Sequence, residues 1–167
     1  MIKINLKPSF HNFSSITLNQ DEVEYEILPT LLDLKGLDKK EKLLTSEYLE
    51  LKKIKAFNEI AKEEYFSEKN KIPNVILSEK VTIEKLLNQI IEKPIIDKRM
   101  MTDGIEIECV VNHSNLEPKI IEFRSPEIDT REHEIIKSLF VVLKACFKEE
   151  PVLDHIKLMQ GYFSIWN

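Results

Sequence analysis

The stretch DGIEIECVVNHSNLEPKIIEFRSPEIDTREHEIIKSLFVVLKACF, residues 103–147, decides the fold. Ile105, Ile107, Cys109 and Val111 alternate with Glu106, Glu108 and Asn112, the period of two that leaves one face of a strand buried. Turn formers fill Asn112 to Pro118, and Lys119 to Arg124 resumes the extended pattern with Ile121 and Phe123 on one side. Pairing Val111 with Lys119 sets Cys109 against Ile121 and Ile107 against Phe123. On the other face it sets Glu106 against Arg124, which attracts, and Glu108 against Glu122, which repels. A slip of one residue would turn the apolar face to water, so this register is the expected one.

A long helix follows. Asp129 and Glu132 fit a capping box at its start, and Pro126 discourages helix before that point. Ile136, Leu139, Phe140, Leu143 and Phe147 recur at steps of three and four, a wide stripe suited to a sheet. Pro151 stops that helix and suits the entry to another, with Val152, Leu153, Ile156 and Met159 as its apolar side and Gly161 as its C-cap.

Outward from this region, strands are expected at Ile2 to Leu6, Ser15 to Asn19 and Glu22 to Leu28, the last two joined through Asn19-Gln20-Asp21. The segment from Leu31 to Leu44 fits neither helix nor strand decisively. From Thr45 or Ser46 a helix is expected to about Phe66, with Leu51, Ile54, Phe57, Ala61 and Tyr65 as its stripe. Lys69 to Pro73 reads as a loop and Val75 to Leu77 as a short buried extended piece. Thr82 then caps a helix over Ile83 to Glu92, which Pro94 ends. Strands grouped in hairpins favour an α+β fold: one domain over 1–167, with a mainly antiparallel sheet packed by amphipathic helices.

The chain has 167 residues, of which 43% are hydrophobic and 32% charged, enough for one ordinary core. No apolar run approaches the roughly 20 residues a membrane helix needs, and the first ten residues read as a strand rather than a signal peptide, so no membrane is expected and the cytoplasm is the expected location. Cys109 and Cys146 fall on inward faces and read as small buried hydrophobes. The net charge of −5, with Lys and Glu interleaved, argues against nucleic acid and suits a basic protein partner as well as plain solubility.

Motifs for chemistry are missing at their essential positions. Gly36, Gly104 and Gly161 are the only glycines and stand far apart, so no phosphate-cradling loop and no glycine-flanked serine elbow can be read. His133-Glu134 begins like a zinc helix, but Lys137 stands where the second histidine must be. His11, His113, His133 and His155 show no ligand spacing, so neither a metal nor any cofactor is expected. Arginine occurs only at 99, 124 and 131, and Arg99 sits beside Met100 and Met101, a pair suited to an adaptable contact. In the aromatic tail Phe163 is expected to pack and Trp166 to be available to a partner.

These readings converge on a non-enzymatic protein-binding module with no catalytic residues, using Arg99, His113 and Trp166 toward a partner. Small acidic α+β domains of this general type include bacterial toxin-neutralising immunity proteins, a comparison of type alone. The alternatives are a hydrolase or transferase assembled from His113, His133, Glu132 and Arg99, and a homo-oligomeric scaffold, in the simplest case a homodimer.

Overall fold

The computed structural model describes residues 1–8, 12–28, 66–94, 104–112 and 116–164. In chain order these form β1 (Ile2–Pro8), β2 (Phe13–Leu18), β3 (Glu22–Leu28), β4 (Phe66–Lys71), a 3-10 turn (Asn74–Ile76), α1 (Leu77–Glu92), β5 (Ile105–Val111), β6 (Lys119–Arg124), α2 (Arg131–Cys146) and α3 (Val152–Ser164). The fold is α+β: one six-stranded antiparallel sheet, in the order β4-β3-β2-β1-β5-β6, packed against helices.

The strands alternate as their sequences require. Ile2, Ile4 and Leu6 of β1, Ile16 and Leu18 of β2, Val23, Tyr25 and Ile27 of β3, and Ile105, Ile107, Cys109 and Val111 of β5 all point inward and are buried. The β5–β6 register pairs Val111 with Lys119, Cys109 with Ile121, Ile107 with Phe123 and Glu106 with Arg124, as the alternation predicts. Across the β2–β3 hairpin Ile16 faces Tyr25 and Leu18 faces Val23. Into this face pack Ile83, Leu87 and Ile90 of α1, a row from Ile135 to Leu143 of α2, and Val152, Ile156, Met159 and Phe163 of α3. Phe163 meets Phe140 edge-on at 5.4 Å between ring centroids, which fulfils its expected packing role. At about 1.5–3 kcal/mol for each large aliphatic side chain removed from water, this single cluster is the main source of stability.

Several local readings are corrected. The cap of α2 is Thr130, whose hydroxyl accepts from the His133 N–H at 3.2 Å, not Asp129, which takes a left-handed φ of 64° one residue earlier. The first turn of α1 begins at Leu77, so Thr82 lies inside it and donates its hydroxyl back to the Ser78 carbonyl at 3.0 Å. Val75 belongs to the 3-10 turn and is exposed rather than a buried strand residue. Gly161 lies within α3 and does not cap it. Phe66 to Lys71 is a strand, where the sequence suggested a helix end and a loop. The expected helix from Thr45, apart from its last residue Phe66, and the undecided segment 31–44 lie outside the described residues.

Arg131 joins two helices. Its guanidinium donates to the Gln89 carbonyl at 3.3 Å and the Lys93 carbonyl at 3.5 Å, placing a cation on the negative end of α1.

Candidate protein interface

The outer face of the sheet carries the side chains that alternate with the core, and the β1–β5–β6 half arranges them in three rows. Lys7 stands opposite Glu106, which stands opposite Arg124. Asn5 faces Glu108, which faces Glu122. Lys3 faces Val110, which faces Ile120. The rigid strands fix these neighbours, because successive outward side chains have no choice of side.

The first two rows form a bonded cluster around Lys7. Its ammonium lies 3.0 Å from Glu108 and 3.4 Å from Glu106, with only 10% of its side chain exposed. Asn5 Nδ2 donates to Glu108 at 2.6 Å, and Arg124 reaches Glu106 at 3.6 Å. Partial burial pushes the Glu108 carboxyl upward, but the hydrogen bonds from Asn5 and Lys7 outweigh it and hold the group below the usual glutamate range. Glu122, directly across from Glu108, has no cation of its own within ion-pair distance among the described residues.

The third row ends on Ile120, an aliphatic side chain 64% exposed at the border of the sheet. Elsewhere on the outer face, among the described residues, Ser15 and Leu28 are buried. Leu116, just before β6, is exposed as well.

β6 is an edge strand, and hydrogen bonds at the strand ends fix which of its backbone groups are used. Ser125 N–H donates to the Ile105 carbonyl at 3.0 Å, and Asn112 N–H donates to the Met1 carbonyl at 2.9 Å. The antiparallel alternation then turns the odd residues of β5 toward β6 and the even ones toward β1. It follows that Ile121 and Phe123 spend their N–H and C=O groups on β5, whereas those of Ile120, Glu122 and Arg124 point away from the sheet. The opposite edge, β4, is polar along its whole length after Phe66, and its Lys69 is tied to Glu22 at 2.6 Å, a protected edge.

Among the described residues, the two cysteines and the Tyr25–His155 pair are buried or half-buried. Cys109 is fully buried and Cys146 half-buried, and burial pushes both thiols up, away from the reactive thiolate. The Tyr25 hydroxyl meets His155 Nδ1 at 2.9 Å in the core between β3 and α3, with Phe147 against the tyrosine ring. Burial raises the tyrosine's pKa, with the Ser14 hydroxyl pulling the other way, so Tyr25 stays neutral. Asp154, next to His155, is engaged with Lys157 on the surface at 2.9 Å. No group of three or more His, Cys, Asp or Glu among the described residues could hold a metal ion. No helix there is long and apolar enough to cross a membrane.

The residues expected to meet a partner, Arg99, His113 and Trp166, lie outside the described residues. Of the proposed catalytic set, Glu132 and His133 are neighbours in the first turn of α2, while His113 and Arg99 again lie outside. Local pattern gave no sign of the Tyr25–His155 contact, which joins positions 130 apart. It did give the Glu108–Glu122 opposition, but not that Glu122 sits on an open edge. Family models, curated proteins and solved structures alike yield no match to the chain.

Proposed function

We propose that this chain is a non-enzymatic protein-binding module of the inhibitor or immunity type, acting on another protein and using the exposed β1–β5–β6 half of the sheet. The observation that carries the reading is Ile120, held bare on a rigid strand within a field of ionised side chains. A desolvating apolar anchor ringed by charges is the usual anatomy of a recognition patch. The burial of Cys109 and Tyr25, with His155 held against the tyrosine, supports a role in contact rather than turnover. The uneven charge at Glu122 favours a basic partner.

Affinity capture from the native cell, followed by native mass spectrometry, tests it. The expected result is a 1:1 heteromeric complex that weakens at least tenfold with Ile120→Asp. Recovery of no stoichiometric partner by the wild-type protein would end this reading.

A further inference from the structure

Resting on that reading, we infer that the partner binds by adding an extended strand to the β6 edge, and that this strand carries a lysine or arginine opposite Glu122 with an aliphatic residue opposite Ile120. Three observations combine. Backbone donors and acceptors of Ile120 and Glu122 point out of the sheet, as the strand-end hydrogen bonds require. The same two residues carry exposed outward side chains, so one added strand would meet both their open backbone and their open surface.

Charge selects the occupant. Glu108 is already held by Asn5 and Lys7, whereas Glu122 beside it repels it across the strands. A cation arriving on Glu122 removes that repulsion and completes the row Asn5–Glu108–Glu122. Two positions away along the same face, Ile120 offers 64% of its surface to an aliphatic side chain. Outward residues of a strand recur at every second position, so the recognised pattern is aliphatic-x-basic. A second copy of β6 fits less well: the register that sets Glu122 against Arg124 reciprocally overlaps only residues 122–124 and leaves Ile120 uncovered.

The test uses two seven-residue peptides titrated into the ¹⁵N-labelled protein. In one, alternate residues run valine, lysine, valine, lysine with threonine between; in the other, glutamate replaces lysine. The lysine peptide is expected to shift and slow the exchange of the amides of Ile120 and Glu122, with at least a tenfold preference over the glutamate peptide. Glu122→Lys should invert that preference. Ile120→Pro deletes an outward N–H without touching a bond to β5, so binding should fall at least tenfold while the Ile121 and Phe123 amides keep their protection. Perturbation elsewhere on the surface, a preference indifferent to residue 122, or binding undiminished by Ile120→Pro would each overturn the inference. So would light scattering that shows the free protein dimerised through this edge. A stoichiometric protein captured equally by wild type and Ile120→Pro would end the strand-addition inference while leaving the protein-binding reading intact.

Discussion

Replacing Glu122 by lysine should make the protein more stable, although nearly all substitutions do the reverse. Directly opposed residues of an antiparallel pair have Cβ atoms roughly 5 Å apart, and a cross-strand charge pair there is worth about 0.2–1 kcal/mol in either direction. Glu122 opposes Glu108, a carboxylate that Asn5 and Lys7 keep ionised. Glu122→Gln removes the repulsion, and Glu122→Lys turns it into attraction. Glu108 is part-buried but Glu122 is exposed to solvent, so the gain from reversal should be about 0.5–1 kcal/mol, and from neutralisation about half of that. For a chain of this length that is a rise in melting temperature of about 1–4 °C. The gain should shrink strongly between about 0.01 and 1 M salt, where the screening length falls from roughly 30 to 3 Å. Differential scanning calorimetry at both salt concentrations reads it directly. If Gln and Lys stabilise equally, or if salt leaves the difference untouched, Glu122 is not the unbalanced charge described above. A residue kept at a cost in stability is what a binding surface requires, so the same variant should lose the preference for basic strands.

Four further outcomes are expected. Lys7→Met removes a hydrogen bond that keeps Glu108 below the usual glutamate range; in the wild type the unfolded chain takes up that proton first as pH falls, so the contribution of Glu108 is present above the glutamate range and is lost on acidification through the lowered value. In the variant the Glu108 carboxyl resonance should titrate at higher pH and that part of the acid dependence should flatten; an unchanged midpoint would deny the role of Lys7. Ser125→Ala leaves the buried Ile105 N–H without its side-chain acceptor and should cost about 1–3 kcal/mol by urea unfolding, whereas a neutral result would mean water replaces the hydroxyl. Tyr25→Phe should cost about 0.5–1.5 kcal/mol and His155→Ala more, because the latter strands a buried hydroxyl; equal losses with no coupling in the double variant would show that the bond to His155 contributes nothing. In native protein at pH 8, a disulfide reagent should modify Cys146 slowly and Cys109 only on unfolding, and rapid labelling of Cys109 would contradict its burial.

The parts of the fold legible in the sequence are those whose determinants are close along the chain. The β5–β6 register followed from alternation plus one charge pair, and α2 and α3 from stripes at helical spacing. β4 was hidden because Phe66-Ser67-Glu68-Lys69-Asn70-Lys71 has no apolar alternation; as an edge strand it takes its place from pairing with β3, not from burying a face. Thr82 misled for a related reason: its hydroxyl suits a cap, but in α1 it bonds the preceding turn, and helix formation spreads from Leu77 through residues of ordinary propensity. The interface was half legible. Glu108 against Glu122 could be read from the hairpin, yet β6 became an open edge only once β1 was seen beside β5. That pairing joins Asn5 to Glu108 across 103 positions, beyond any local pattern.

The central seat of β1 also governs the order in which the molecule can be completed. A ribosome releases Ile2–Pro8 just ahead of β2, which can claim one of its borders at once. Its other border must wait until Ile105–Val111 has left the exit tunnel, so until then a bare aliphatic ribbon stands ready to recruit any passing strand. Nascent chains truncated before about residue 125 should therefore be chaperone clients, and release should follow the arrival of the last hairpin.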